Sequence, residues 1–195
     1  SNTLACINAL TQEAADRNAL GNDVEFVINA YDEMNIVIPV TDIIRRFKNG
    51  GEHGIVLFVG VQSNQFPRTM DIARKFRDEN IQVAIGGFHT SGCIAMLPQL
   101  PEELKEATEA GITLFAGEAE EGRLINVLKD AYQRKMKPLY NFLGDLPGLE
   151  GQPMPITPTS VAKRLVSKIG CVDAGRGCSF LCSFCTVINV QGRKS

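Results

Sequence analysis

Three cysteines lie close together near the end of the sequence, in the stretch RGCSFLCSFC that starts at Arg176. Cys178, Cys182 and Cys185 follow one another at intervals of four and three residues, and Phe184 precedes the last of them. Thiolates are soft ligands that suit zinc, Cu(I) and iron–sulfur clusters. A disulfide framework is a poor explanation in a chain of 195 residues with the composition of a cytosolic protein. The spacing therefore indicates a metal or redox site.

Two kinds of metal site compete for these thiolates. A structural zinc site needs four ligands, usually in two pairs, and the sequence offers one triplet. The two histidines, His53 and His89, lie far upstream, and Cys171 precedes the triplet by seven residues. A 4Fe–4S cluster held by three cysteines keeps one iron open for a substrate, whereas a four-cysteine cluster mostly moves electrons. The triplet favours the open cluster, with zinc or an electron-transfer cluster as the alternatives.

The pattern Cys-x3-Cys-x2-Cys, with an aromatic residue before the last cysteine, resembles the signature of the radical S-adenosylmethionine (radical SAM) enzymes. The resemblance implies a 4Fe–4S cluster on the three cysteines and S-adenosylmethionine on the open iron, beside Phe184. It also implies an external electron donor such as flavodoxin or ferredoxin, whose electron cleaves the sulfonium to methionine and a 5′-deoxyadenosyl radical. Arg176 would add positive charge beside the anionic cluster, unless it is an ordinary surface arginine.

The residues upstream of the cysteines alternate between helical and strand patterns. The patterns predict helices over 3–20, 39–51, 66–80, 100–111 and 118–135, and strands over 24–31, 53–61, 81–87 and 112–117. Continuously apolar strands are typical of a parallel sheet that is buried on both faces. The order predicts a doubly wound parallel sheet, a flavodoxin-like (Rossmann-like) α/β domain whose first strand lies upstream of Ser1.

Proline and glycine accumulate between this α/β pattern and the cysteines. We expect an α/β domain over residues 1–137, an irregular linker over 138–161 and the start of a second domain over 162–195. Residues 162–174 read as a strand, and the resemblance makes it the first strand of a radical SAM (β/α) barrel. The Ser1-Asn2 start, in place of Met, suggests a cut end, and we expect an N-terminal fragment that is inactive by itself because it contains only the entrance to the barrel.

An α/β domain ahead of a radical SAM barrel resembles the cobalamin-binding domain of the cobalamin-dependent radical SAM enzymes. The stretches GVQSNQFPR, VAIGGFH and LFAGEAEEG carry this resemblance, and each follows a predicted strand, where doubly wound sheets bind ligands. Matching positions imply cobalamin contacts at Gln62, Ser63, Asn64, Gly86, Gly87, His89, Gly117 and Glu118. The Asp-x-His-x-x-Gly loop that supplies an axial histidine in many such domains is not found in the sequence.

These positions also have ordinary structural interpretations. Glycines after strands are common turn residues, and Ser63-Asn64 suits a helix N-cap. Glu118, Glu120 and Glu121 would favourably charge the N-terminus of a helix. The cysteines Cys6 and Cys93 have no partner by spacing.

Composition narrows the classes of function. A net charge of −2 and a pI of about 5.7 give no nucleic-acid signal, and no apolar run approaches the length of a membrane span. Composition thus predicts a cytoplasmic protein, and the resemblance implies a radical SAM enzyme of unknown substrate. It would either methylate an unactivated carbon through methylcobalamin or catalyse a rearrangement, cyclisation or sulfur insertion. The alternatives are a non-catalytic corrinoid- or zinc-binding module and an interaction scaffold.

Overall fold

The structure, a computed structural model, describes residues 2–50, 53–164, 175–180, 182 and 184–192. The elements follow in chain order: α1 (Asn2–Asp16), α2 (Val40–Gly50), β1 (Ile55–Phe58), α3 (Phe66–Asp78), β2 (Gln82–Gly86), α4 (Phe88–Met96), α5 (Glu102–Glu109), β3 (Thr113–Ala116), α6 (Arg123–Tyr132), β4 (Leu139–Asn141), α7 (Thr159–Ala162) and α8 (Thr186–Val190).

The strands of the described residues form one parallel sheet in the order β1-β2-β3-β4. Val83 pairs with Val56, and Phe115 pairs with Gly86 and with Tyr140 across the sheet. Because all strands run the same way, their carboxyl ends meet at one edge. The α/β class and the parallel sheet are thus confirmed, and the arrangement is compatible with a Rossmann-like or flavodoxin-like fold.

Helices cover both faces of the sheet. Alternate residues of a strand point to opposite faces. Val56 and Phe58 of β1 pack into the core that contains α3 and α5, whereas Ile55 and Leu57 pack with α1 and α6. The strands are therefore covered on both sides, which explains why their sequences are almost continuously apolar.

The strand predicted over residues 24–31 is wrong. Its residues pair with no other strand among those described, and they alternate between exposed and partly covered positions. Val27 is 80% exposed. β-branched and aromatic side chains favour a strand only where a neighbour accepts and donates the backbone hydrogen bonds, and no described neighbour does so here.

Four elements of the described residues were not predicted, namely α4, β4, α7 and α8, and α7 includes Ala162, where the predicted strand 162–174 was to begin. Helix α4 has an almost fully buried run from His89 to Gly92, so its sequence lacks the amphipathic period that marks a surface helix. Strand β4 lies inside the stretch that we predicted as an irregular linker, where the neighbouring prolines and glycines obscure three residues of strand. Helix α6 begins at Arg123 instead of residue 118. Most of the predicted strand 162–174 lies outside the described residues, and so does Cys171.

Gly87, which joins β2 to α4, is fixed by a close approach of two chain segments. Its φ is +145°, and a Cβ atom there would lie 2.2 Å from the backbone nitrogen of Val61. The amide of Val61 donates to Gly86 O at 3.1 Å, and the amide of His89 donates to Val61 O at 3.0 Å. The loop after β1 therefore rests directly on the turn between β2 and α4.

We expect Gly87→Ala to lower the free energy of unfolding by more than about 2 kcal/mol, because the new Cβ meets backbone that cannot rotate away. Gly21→Ala is the matched control, since its φ is +116° and nothing lies within 4 Å of the added atom. That variant suffers conformational strain alone and should lose about 1 kcal/mol. Chemical denaturation measures both losses, and equal losses would contradict the proposed contact.

Candidate functional site

A cavity of about 160 Å³ lies at the carboxyl edge of the sheet. The ends of β1, β2 and β3 form its floor, α1 contributes Ile7 and Leu10, and Val190 and Gln191 approach from beyond the cysteines. Most of the lining side chains are apolar, with charged groups at Glu118, Glu120 and Arg176. Ligands of parallel α/β sheets bind at this edge, which makes the cavity the first candidate for a functional site.

Arg176 closes one side of this cavity by pairing with two carboxylates. Its guanidinium donates hydrogen bonds to Glu118 and to Glu120. Gln191 Nε2 donates to the other oxygen of Glu118 at 3.1 Å. The exposed fractions of the three charged side chains are 21% for Arg176, 14% for Glu118 and 7% for Glu120. These contacts join the segment that carries the cysteines to the loop between β3 and α6.

Two carboxylates share the Arg176 guanidinium at this junction, and a second guanidinium, that of Arg123, also acts on Glu118. Burial raises the pKa of Glu118, while Arg176 and the hydrogen bond from Gln191 oppose that rise. Burial by itself would lower the pKa of Arg176, but the hydrogen bond to Glu120 and the two negative charges raise it above its ordinary value. Glu120 Oε2 is buried without a hydrogen-bond partner among the described residues. The pairing with Arg176 is thus needed to keep two acidic groups at a mostly buried position.

The segment after the third cysteine is held by helix packing. Helix α8 begins directly after Cys185, and its first residue, Thr186, packs on Gly92 of α4. A Cβ at Gly92 would lie 2.6 Å from Thr186 Cγ2, so a larger residue at position 92 would force the Thr186 side chain to move. The amide of Cys178 donates to Gly192 O at 3.2 Å, which closes the segment on itself. The cysteine segment is therefore anchored both before and after the triplet.

The three predicted cluster ligands lie on this anchored segment. Cys178 and Cys185 are partly exposed and Cys182 is exposed. Their sulfur atoms do not form a group within 4.8 Å, and among the described residues only one group of three potential ligands does. Thiolates on one zinc ion lie within about 4.6 Å of one another, because each Zn–S bond is about 2.3 Å. In the described arrangement the three thiols are therefore not gathered around one point.

Two aromatic side chains flank the thiols on the outside of the protein. Phe180 is 72% exposed and Phe184 is 83% exposed. The ring of Phe184, which we predicted beside S-adenosylmethionine, is left uncovered by the described part of the chain. The thiols thus lie on an accessible surface with apolar neighbours.

The structure places the residues implied by the cobalamin resemblance in two groups. Gly86, Gly87, Gly117 and Glu118 line the cavity at the carboxyl edge. Other residues of the chain already occupy the space or the polar atoms through which these residues would contact cobalamin. The free side of Gly87 is filled by Val61, a Cβ at Gly117 would lie 2.9 Å from the carbonyl carbon of Phe142, and the Glu118 carboxylate binds Arg176 and Gln191.

The second group lies away from the cavity. Gln62, Ser63 and Asn64 are exposed in the loop after β1, and His89 is buried in α4, 6% exposed. None of the four lines the cavity. Ser63 does not cap α3, whose N-cap residue Gln65 makes no side-chain cap. The Ser63 hydroxyl lies 3.1 Å from His89 Nδ1 instead.

The cavity is partly open to solvent, and its more enclosed part measures about 160 Å³. Arg176, Val190 and Gln191 line it at the strand ends. Because ligands of parallel α/β sheets bind at this edge, a corrin bound there would compete with these three residues for the strand ends.

The sequence analysis missed the pairing of Arg176 with Glu118 and Glu120. We interpreted the glutamates as charges at a helix N-terminus, but α6 begins after them, at Arg123. The partners are 58 and 56 residues apart, so no local spacing connects them. The sequence hinted at this pairing only through the types of residue present, since two acidic residues closely follow a buried strand and one arginine closely precedes a metal-ligand motif.

Comparison with protein-family models, with curated proteins and with solved structures finds no match to this chain. Among the described residues, no helix combines the length and the apolar character needed to cross a membrane.

Removal of the guanidinium should loosen the cysteine segment and make stability depend on pH. In Arg176→Ala the pKa of Glu118 rises further, because its main opposing charge is gone. The folded state then binds a proton more tightly than the unfolded state, so the variant loses stability relative to the parent as the pH rises from about 5 to about 8. Denaturation at both pH values measures this, and hydrogen exchange of the α8 amides should become faster.

The control for this prediction is Arg45→Ala, whose side chain forms an exposed pair with Asp42 at 3.2 Å. Exposed pairs contribute little, so its stability relative to the parent should not change with pH. If Arg176→Ala behaved like this control in both measurements, the junction would not hold the segment.

Proposed function

We propose that this chain belongs to a radical SAM enzyme, in which Cys178, Cys182 and Cys185 hold a 4Fe–4S cluster with one iron open to S-adenosylmethionine. The observation that carries the proposal is the cysteine triplet with Phe184, on an accessible segment that is anchored on both sides. When bound, the cluster supplies the electron that cleaves S-adenosylmethionine to a 5′-deoxyadenosyl radical. The donor set supports this reading, because thiolates are the usual ligands of such clusters.

The residues of this chain would position the cluster instead of reacting. Arg176 fixes the backbone directly before the first thiol, and α8 fixes it directly after the third. Arg176 is committed to Glu118 and Glu120, so it neutralises carboxylates and does not offer a free positive charge to the cluster. The exposed rings of Phe180 and Phe184 suit burial by S-adenosylmethionine, by further protein, or by an electron donor such as flavodoxin or ferredoxin. A reducing cytoplasm suits free thiols of this kind.

The described arrangement favours radical chemistry without bound cobalamin over cobalamin-dependent methyl transfer. The observation behind this choice is that Arg176, Val190 and Gln191 line the cavity at the carboxyl edge. Cobalamin binding stays a prediction of the family resemblance, and it requires Arg176, Val190 and Gln191 to leave the strand ends. We therefore assign no reaction step to cobalamin.

The first test is electron paramagnetic resonance of the full-length gene product, purified without oxygen and supplied with iron and sulfide. We expect a reduced 4Fe–4S signal that changes when S-adenosylmethionine is added, because the substrate binds the open iron. Cys178→Ala, Cys182→Ala and Cys185→Ala should each abolish the cluster. Cys171→Ala should retain it, as should Cys6→Ala.

A colourless protein that contains zinc by elemental analysis would refute the proposal and support a zinc-binding module. A cluster signal indifferent to S-adenosylmethionine would instead indicate an electron-transfer site. Loss of the cluster in Cys171→Ala would show that the ligand set is wrong.

The second test concerns cobalamin. We expect the parent protein, mixed with hydroxocobalamin and passed through gel filtration, to retain none of the red corrinoid, because Arg176, Val190 and Gln191 occupy the strand ends that a corrin would need. Retention by Arg176→Ala but not by the parent would show that the covering residues are the obstacle. Retention by the parent would contradict the prediction and restore cobalamin-dependent methyl transfer as the leading function.

A further inference from the structure

A second group of potential metal ligands lies apart from the cysteine triplet, between α4 and α5. His89, Cys93 and Glu103 each offer one ligand atom, and these atoms all lie within 4.8 Å of one another. His89 and Cys93 are four residues apart on α4, so both side chains project from the same face of the helix. Glu103 lies in the first turn of α5.

The ligand atoms of this group lie near one another but do not yet surround a single point. His89 Nε2 lies 3.1 Å from Glu103 Oε1, whereas the thiol of Cys93 lies 3.9 Å from the other ring nitrogen, Nδ1. Bonds of about 2.3 Å to sulfur and about 2.1 Å to nitrogen or oxygen place tetrahedral ligands roughly 3.4–3.6 Å apart. Because one ion binds only one of the two ring nitrogens, an ion at Nε2 requires the Cys93 thiol to rotate toward that nitrogen, and the group already lies within 4.8 Å.

The His89 ring is buried, and its two nitrogens face different neighbours. Its side chain is 5% exposed, and Nε2 has no hydrogen bond although the Glu103 carboxylate lies beside it. Nδ1 lies 3.1 Å from the Ser63 hydroxyl, and the ring of Phe66 packs at 4.4 Å between centroids. The ring has two neutral tautomers. With the proton on Nε2, the ring faces the Glu103 carboxylate with an N–H and Nδ1 accepts from Ser63. With the proton on Nδ1, which then donates to Ser63, the Nε2 lone pair is free to bind a cation beside that carboxylate.

We propose that His89, Cys93 and Glu103 bind one zinc ion, at a site separate from the cysteine triplet. One thiolate, one imidazole and one carboxylate are all established zinc ligands. Three protein ligands keep a fourth position open for water or a substrate, as in catalytic zinc sites. Ser63 orients the imidazole by its hydrogen bond, in the manner of an outer-shell partner. The ion reaches the site from the side of Glu103, whose side chain is 49% exposed.

The test measures zinc and cobalt binding in a chain whose triplet cysteines are replaced, Cys178→Ser, Cys182→Ser and Cys185→Ser, so that they cannot bind the metal. We expect one zinc ion per chain after dialysis. Co²⁺ should give an intense near-ultraviolet band from thiolate-to-metal charge transfer, together with the visible bands of tetrahedral cobalt. Zinc should also raise the thermal midpoint, because it binds the folded state.

Matched variants assign the ligands. Cys93→Ser should abolish the charge-transfer band, and Glu103→Gln should weaken zinc binding at least about tenfold, as much as the loss of an outer-shell partner costs at known sites. Cys6→Ser and Glu102→Gln are the controls, since Glu102 pairs with Lys105 outside the group. Both should bind zinc as the parent does.

The proposal fails if a chain with parent-like circular dichroism binds no zinc, or if Cys93→Ser and Glu103→Gln bind it unchanged. Failure would mean that His89 is a buried histidine satisfied by Ser63 and Glu103. Because the triplet is replaced throughout, neither result affects the proposed radical SAM function.

Discussion

The arrangement of the candidate sites depends on one interaction, the pairing of Arg176 with Glu118 and Glu120. Two mostly buried carboxylates two residues apart repel each other and lose hydration, so they are tolerable only with a cation that serves both. A guanidinium can do so because its planar fork presents several donors at once, which a lysine ammonium does not match. The position of the cysteines relative to the sheet follows from this geometry, and so does the closure of the cavity.

Helix α4 makes the other contacts that position the two candidate sites. Its start is fixed by Gly87, where the loop after β1 touches the backbone, and its middle receives α8 at Gly92. The same helix presents His89 and Cys93 to α5. The buried polar run of this helix, which obscured it in the sequence, is therefore explained by its contacts with three different neighbours.

Local patterns predicted what is locally determined. Helix α3 and strands β2 and β3 lie within the predicted ranges, because their apolar periods reflect burial in one core. Residues 24–31 have the composition of a strand but pair with none of the described strands, and composition does not contain that information. The cysteine triplet could be found because its spacing is short. Its anchor could not, because Arg176 and Glu118 are 58 residues apart.

The carboxyl edge of the sheet can either bind a ligand or dock the cysteine segment, and the two uses compete for the same space. Parallel α/β sheets normally bind ligands there, but here the edge is occupied by Arg176, Val190 and Gln191, which belong to the cysteine segment. A ligand larger than the present cavity must displace them and so release the anchor of the predicted cluster. Thermodynamic linkage makes this effect reciprocal. Docking of the segment lowers the affinity for that ligand by the same factor by which the bound ligand weakens docking of the segment. Any function that uses both the edge and the cysteines would therefore couple the two sites, and the Arg176 ion pairs would set the strength of that coupling.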